Sequence, residues 1–192
     1  MHEGFRVTQS LSSLGSDLRA LRTTRKMTLG QLAERLGRSV GWLSQVERDI
    51  STPTMSDLEG FATAFEVPIS LFFGQADAPE AEQGRIVRKN RRRVIGERES
   101  GLTETLLSPD LTDSFEVIHS TFEPGAQRTE MLSRATQELA WIASGKLDIW
   151  LDEDRFTVGA GDSFRVRGQS YRWANPYAVP AIAIWIISPP VY

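Results

Sequence analysis

Apolar residues recur every three to four positions through the first third of the chain. In LGSDLRALRTTRK, Leu14, Leu18 and Leu21 fall on one helical face. TLGQLAERLG repeats the pattern with Leu29, Leu32, Ala33 and Leu36. It opens on Thr28 with Gln31 three residues on, a spacing that satisfies free N–H groups at a helix start, and it closes on Gly37. SVGWLSQVERD begins at Ser39, a good N-cap. Thr54, after Pro53, precedes a fourth periodic stretch with Leu58, Phe61, Ala62 and Phe65, and PISLFF from Pro68 adds a short fifth segment. Beyond residue 84 the period falls to two. FEVIHSTF, QELAWIA, KLDIWL, RFTV, DSFRV, SYRWAN and AIAIWIIS are short runs separated by turns such as EPG, DED and GAGD. Regular short strands without helical crossovers predict an antiparallel sandwich or barrel.

The change of period divides the chain. The expected fold is a five-helix, all-α unit over 1–74, a polar linker over 75–84 (QADAPEAEQG), and an all-β antiparallel barrel over 85–192. The second and third helices, joined by the tight turn LGRS, make a helix-turn-helix. Ala33 is small where these helices cross, and Leu43 and Val46 anchor the second. Its free face then carries Val40, Gly41, Ser44, Gln45 and Arg48.

Composition narrows the function. The chain has no cysteine and two histidines, His2 and His119, which excludes disulfides, thiolate chemistry and a His-rich metal site, and fits a reducing cytoplasm. Its start has no apolar leader segment, and the longest apolar run, AVPAIAIWII, is too short to cross a bilayer. The net charge of −3 is unevenly spread. Residues 1–73 balance eight basic against eight acidic residues, 74–93 hold six against three, and 94–192 hold eight against fourteen. A nucleic-acid partner would therefore meet the N-terminal part. The basic run RIVRKNRRRV reads either as a second DNA contact or as an edge strand with a solvated basic face. Trp42 could stack on a base or pack across the helix pair, and Arg35 and Arg38 could reach phosphates or lie in solvent.

The run TLGQLAERLGRSVGWLSQVERDISTPTMSDLEGFATAF resembles the Xre, or lambda-repressor-like, helix-turn-helix family over roughly residues 12–73. The resemblance implies that the helix from Ser39 to Glu47 enters the major groove of operator DNA. It puts Val40, Gly41, Ser44 and Gln45 at base-facing positions, where glutamine can pair with adenine and valine can touch a thymine methyl. Ser39, Arg48 and the Ser51–Thr54 backbone, including Thr52 and Thr54, would grip phosphates. Arg22 and Glu47 match a pair that ties the first helix to the recognition helix. Asp49 stands where the family usually has glycine, and aspartate tolerates the left-handed backbone better than most residues.

The second half resembles the cupin family over roughly residues 95–190. Gly125, Glu138 and Gly145 match the frame of its first motif, with Met131 and Ser133 at the histidine positions. Gly161-Asp162 and Asn175 match its second, with Tyr171 in place of histidine. Three imidazoles are missing, and a lone carboxylate does not hold a divalent transition ion, so no metal or other cofactor is expected. If Glu138 sets the inward face, Ala140 and Ile142 share it, and Tyr171, Trp173 and Asn175 share one face of their own strand. The expected effector pocket is Met131, Ser133, Glu138, Tyr171 and Trp173; the competing picture is a solid barrel. Glu138 would meet an amine, unless Arg128 or Arg134 folds inward to neutralise it. The reading is a homodimeric regulator that binds operator DNA and a small molecule. The alternative is a metal-dependent cupin enzyme fused to a DNA-binding domain.

Overall fold

The computed structural model describes residues 13–73, 78–96 and 99–191. Four α-helices come first: α1 (Leu14–Thr24), α2 (Leu29–Leu36), α3 (Val40–Val46) and α4 (Met55–Phe65). Each begins at a hydroxyl side chain that accepts a backbone N–H of the first turn: Ser13, Thr28, Ser39 and Thr54. Three of the four complete the reciprocal box, Thr28 with Gln31 among them. Leu18, Leu21, Leu32, Leu43, Phe61 and Phe65 are fully buried between the helices, as their spacing requires. The fifth helix expected from PISLFF is a correction. Ile69–Phe72 is one 3-10 turn, because Pro68 opens it without a side-chain cap and four residues close only short-range bonds such as Leu71 N–H to Pro68 O.

The β half has nine strands: β1 (Val94–Gly96), β2 (Leu102–Leu106), β3 (Glu116–Phe122), β4 (Gln137–Ser144), β5 (Lys146–Leu151), β6 (Asp154–Gly159), β7 (Ser163–Arg167), β8 (Tyr171–Ala174) and β9 (Ala181–Ser188). They form a six-stranded sheet, β1-β2-β3-β9-β4-β7, and a three-stranded sheet, β6-β5-β8, every pairing antiparallel. Strict alternation sorts β3, β4, β8 and β9 into an inward, buried set and an outward set. The basic run splits. Lys89–Arg91 is a 3-10 turn, and of the run only its last residue, Val94, enters the edge strand β1. Of the expected linker, residues 78–84 are a succession of turns; 75–77 lie outside the described residues.

The two halves meet around a buried pair of charges. Asp17 on α1 accepts the Leu111 N–H at 3.0 Å, from the β2–β3 loop, and lies 2.7 Å from the Arg93 guanidinium just before β1. Burial pushes the Asp17 carboxyl above the usual carboxylate range, and Arg93 pulls against that shift. The Ser70 hydroxyl also donates to Val94 O at 2.8 Å.

Candidate functional site

The helix-turn-helix presents α3 outward. Ser39 caps it, accepting the Trp42 N–H at 3.1 Å. Val40, Gly41, Gln45 and Arg48 are exposed and Ser44 is half-buried, so the five expected base- and phosphate-facing positions lie along one accessible side. A Cβ at Gly41 would meet nothing within 4 Å, which leaves open space over that point of the helix. The Gln45 carbonyl oxygen accepts the Ser51 hydroxyl at 3.0 Å. An amide oxygen has two lone pairs and the NH₂ remains free, so Gln45 is held in place with both groups needed for adenine still available. The Arg48 Nε donates to Ser44 O at 3.0 Å, which leaves its outer nitrogens for a phosphate. Thr52 is exposed, and Thr54 caps α4 against Asp57. Burial works against the Asp57 charge, but hydrogen bonds from Thr54 and from Arg38 outweigh it and hold that carboxyl below its ordinary value.

α3 is clamped from behind. Arg22 of α1 grips Glu47 through two bonds, 2.6 and 2.9 Å, and donates a third to Met27 O. Asp49 adopts the left-handed conformation (φ 57°) that the family usually fills with glycine. Its carboxylate then accepts the Gly15 N–H at 2.9 Å and the Ser13 hydroxyl, tying the start of α1 to the end of α3. Trp42 packs on Phe61 with the Arg38 guanidinium over its ring, and Arg38, bound to Asp57, keeps about half of its side chain in solvent. Ile50, just after α3, and Met55, at the start of α4, are both more than half exposed. Polar-face reasoning passed over them because apolar residues are assigned to the core by default.

The barrel encloses a cavity of about 40 Å³. Glu138 on β4 is 1% exposed. It accepts the Thr136 hydroxyl at 2.7 Å and the Tyr171 hydroxyl at 3.0 Å. Burial, and then the Glu138 charge beside it, push the Tyr171 phenol up, so it stays protonated and donating across the working range. Glu99, Glu104, Arg128 and Arg134 also line the cavity, over an apolar wall that includes Phe122 and Trp185. Glu104 accepts the Ser120 hydroxyl at 3.0 Å, and Arg128 is paired with Glu99 at 2.6 Å. Arg134 makes no hydrogen bond or ion pair among the described residues.

The expected pocket residues do not all converge. Glu138 and Tyr171 meet in the cavity. Trp173 is buried behind it, edge-on to Phe122 at 4.6 Å. Met131 and Ser133 are exposed and outside the cavity lining. The cause is register. Leu132 bridges Tyr171 through two backbone bonds, 2.7 and 2.8 Å, and turns inward, so alternation faces Arg134 into the cavity and its odd-numbered neighbours out. Motif spacing alone puts Met131 and Ser133 inward, one residue out; the alternative in which an arginine folds inward matches the observed alternation, and Leu132 follows from it. The cupin frame implies a transition metal, and these donors do not fit one. Two of the three histidine positions face away, and the third is a phenol committed to Glu138. His119 is on the six-stranded sheet opposite Ile184 and Thr105, outside the cavity lining. Burial and then the nearby Arg92 hold its pKa low.

Comparison with known proteins agrees with this division. A helix-turn-helix domain family matches residues 13–71 and a cupin domain family matches 118–187. The immunity repressor protein of Bacillus phage phi105 is 28% identical over 66% of this chain and 89% of its own. The HTH-type transcriptional regulator SutR of Escherichia coli is 27% identical over 79% and 80%. A solved HTH_3 family transcriptional regulator from Vibrio cholerae is 22% identical over 92% of this chain and 95% of its own, with a TM-score of 0.43. With both domains matched in this order, the chain carries an N-terminal helix-turn-helix domain and a C-terminal cupin domain, and it is similar to an immunity repressor and to an HTH-type transcriptional regulator.

Proposed function

We propose that the protein is a sequence-specific transcription regulator, active as a homodimer in the cytoplasm, whose barrel binds a small amine-bearing effector and adjusts operator affinity. The DNA-reading part rests on the accessible side of α3, small and polar and locked to α1 by Arg22 and Glu47. Two such heads related by a two-fold axis would read half-sites about one helical turn apart. Among the described residues no helix is long and apolar enough to cross a membrane.

One observation carries the effector reading: Glu138 is buried in a cavity and, among the described residues, no guanidinium pairs with it. Of the two arginines that could neutralise it, Arg128 is committed to Glu99, and Arg134 lines the same cavity without an ion pair. Hydroxyl donors ease a buried carboxylate but leave its charge in place, which favours a cationic group. The cavity lining holds three carboxylates against two guanidiniums, which points the same way. The homologous proteins named as regulators support a binding role over a catalytic one.

Calorimetry tests the effector part with pentylamine, glucose and pentanoate as probes. The amine should bind, and Glu138→Gln should remove most of that binding while keeping the shape. If pentylamine fails to bind, or binds the Glu138→Gln variant unchanged, the amine reading is wrong.

A further inference from the structure

The barrel cavity is too small for most metabolites and opens toward the other domain. A bound water needs about 10–15 Å³ on the scale of this 40 Å³ cavity, so it holds roughly three water-sized groups. An ammonium with two methylenes fills it, and anything longer must leave through the mouth. Glu99, Arg128 and Arg134 line the cavity and also one wall of an open cleft of about 460 Å³. The opposite wall comes from the DNA-reading half: Arg25 at the C-terminal cap of α1, Phe65 at the end of α4, and its cap residue Glu66. Arg25 stacks over Phe65 with 5.5 Å to the ring centroid.

Charge is graded along this path. The two carboxylates confined to the barrel end, Glu104 and Glu138, have no guanidinium partner among the described residues. The cleft end brings three guanidiniums, Arg25, Arg128 and Arg134, against two carboxylates, Glu66 and Glu99. Arg134 stands at the junction, where its charge acts on the Tyr171 phenol and it has no hydrogen bond or ion pair among the described residues.

We propose that the effector is a zwitterion with separated charges, an ω-amino acid, whose ammonium enters the barrel toward Glu138 while its carboxylate is held by Arg134 and Arg25 in the cleft between barrel and DNA-reading domain. This rests on the amine reading above and deepens it. It also supplies the physical coupling: a ligand that touches both walls binds better to one arrangement of the domains, and only such differential affinity shifts an equilibrium.

The experiment uses calorimetry on the full chain with 5-aminopentanoate and its two singly charged halves, pentylamine and pentanoate. The zwitterion should bind about tenfold more tightly than pentylamine, as one charge-assisted hydrogen bond provides, and pentanoate should bind weakest. Arg134→Gln should abolish the advantage of the zwitterion and leave pentylamine binding in place. Arg134→Lys, which keeps the charge, should retain most of it. Arg25→Gln should weaken 5-aminopentanoate and spare pentylamine. Equal binding of zwitterion and amine, or indifference to both arginine substitutions, overturns the bridge and leaves the amine reading standing. If neither amine binds, or pentanoate binds as tightly as either, the amine reading falls and the bridge with it.

Discussion

At the scale of single residues, positions that break a local rule explain how the reading head is built. Asp49 takes a left-handed backbone where glycine would be easiest, and in return its carboxylate holds the first turn of α1. Gly15 is its counterpart. A Cβ there would sit 2.4 Å from Val46 O and 2.8 Å from an Asp49 carboxylate oxygen, so only glycine lets α1 start this close to the end of α3. Gly37 is a glycine for a different reason: its φ is 62°, and a Cβ there would meet nothing within 4 Å. Gly15→Ala should therefore cost about 1–3 kcal/mol, as overpacking does. Gly37→Ala should cost roughly 1 kcal/mol from backbone strain alone. Urea denaturation measures both losses, and operator binding separates them, because Gly15→Ala should also weaken it by shifting α3. Equal operator affinity for both variants would show that α1 does not set the position of α3.

At the scale of elements, α3 and the α1–β1 contact make separate claims. Gln45→Ala should cost about 1–3 kcal/mol at the cognate operator and relax the preference at one base position. Arg48→Ala should weaken all duplexes alike and reduce the salt slope by about one. Titrations over a panel of single-base operator variants distinguish these roles; identical profiles for Gln45→Ala and wild type would contradict base reading. Between the halves, removing one partner from the buried Asp17–Arg93 pair strands a charge. Asp17→Ala or Arg93→Ala should each cost about 3 kcal/mol. Replacing both with apolar residues of similar size, Asp17→Leu with Arg93→Met, should recover most of that loss in thermal melts. A double variant as unstable as the sum of the singles would mean the two residues do not act together.

Elements were legible where one physical signal ruled them. Capping residues and leucine spacing marked α1 to α4, and alternation marked β3 to β9. β2 escaped because LTETL has no clear alternation to set it apart from a loop. The fifth helix was over-read from apolar content, which cannot distinguish a 3-10 turn from a helix. In the site, Glu138 and Tyr171 were legible from the motif frame and strand period. Leu132 was not, and Arg128 and Arg134 only as the alternative in which an arginine folds inward, because the 127–136 strip is irregular and one residue of register reverses its faces. The Arg128–Glu99 pair and the Asp17 contact join residues distant in the chain, which no local pattern records.

At the scale of the whole molecule, the claim is that the barrel and the reading head share one equilibrium. α1 touches every part of it. Asp17 is held by Arg93 and by Leu111, on either side of the strand that carries Glu104; Arg22 clamps α3 through Glu47; Arg25 lines the cleft. Linkage then makes a quantitative demand. If ligand changes operator affinity by some factor, operator must change ligand affinity by the same factor. The direct measurement takes an operator selected from random duplexes and follows its binding by fluorescence anisotropy, with and without saturating 5-aminopentanoate. Calorimetry of the same ligand is then run on free and operator-bound protein. Operator affinity should shift by about fivefold or more, with an equal shift in ligand affinity. Ligand that binds the barrel and leaves operator affinity unchanged would contradict it.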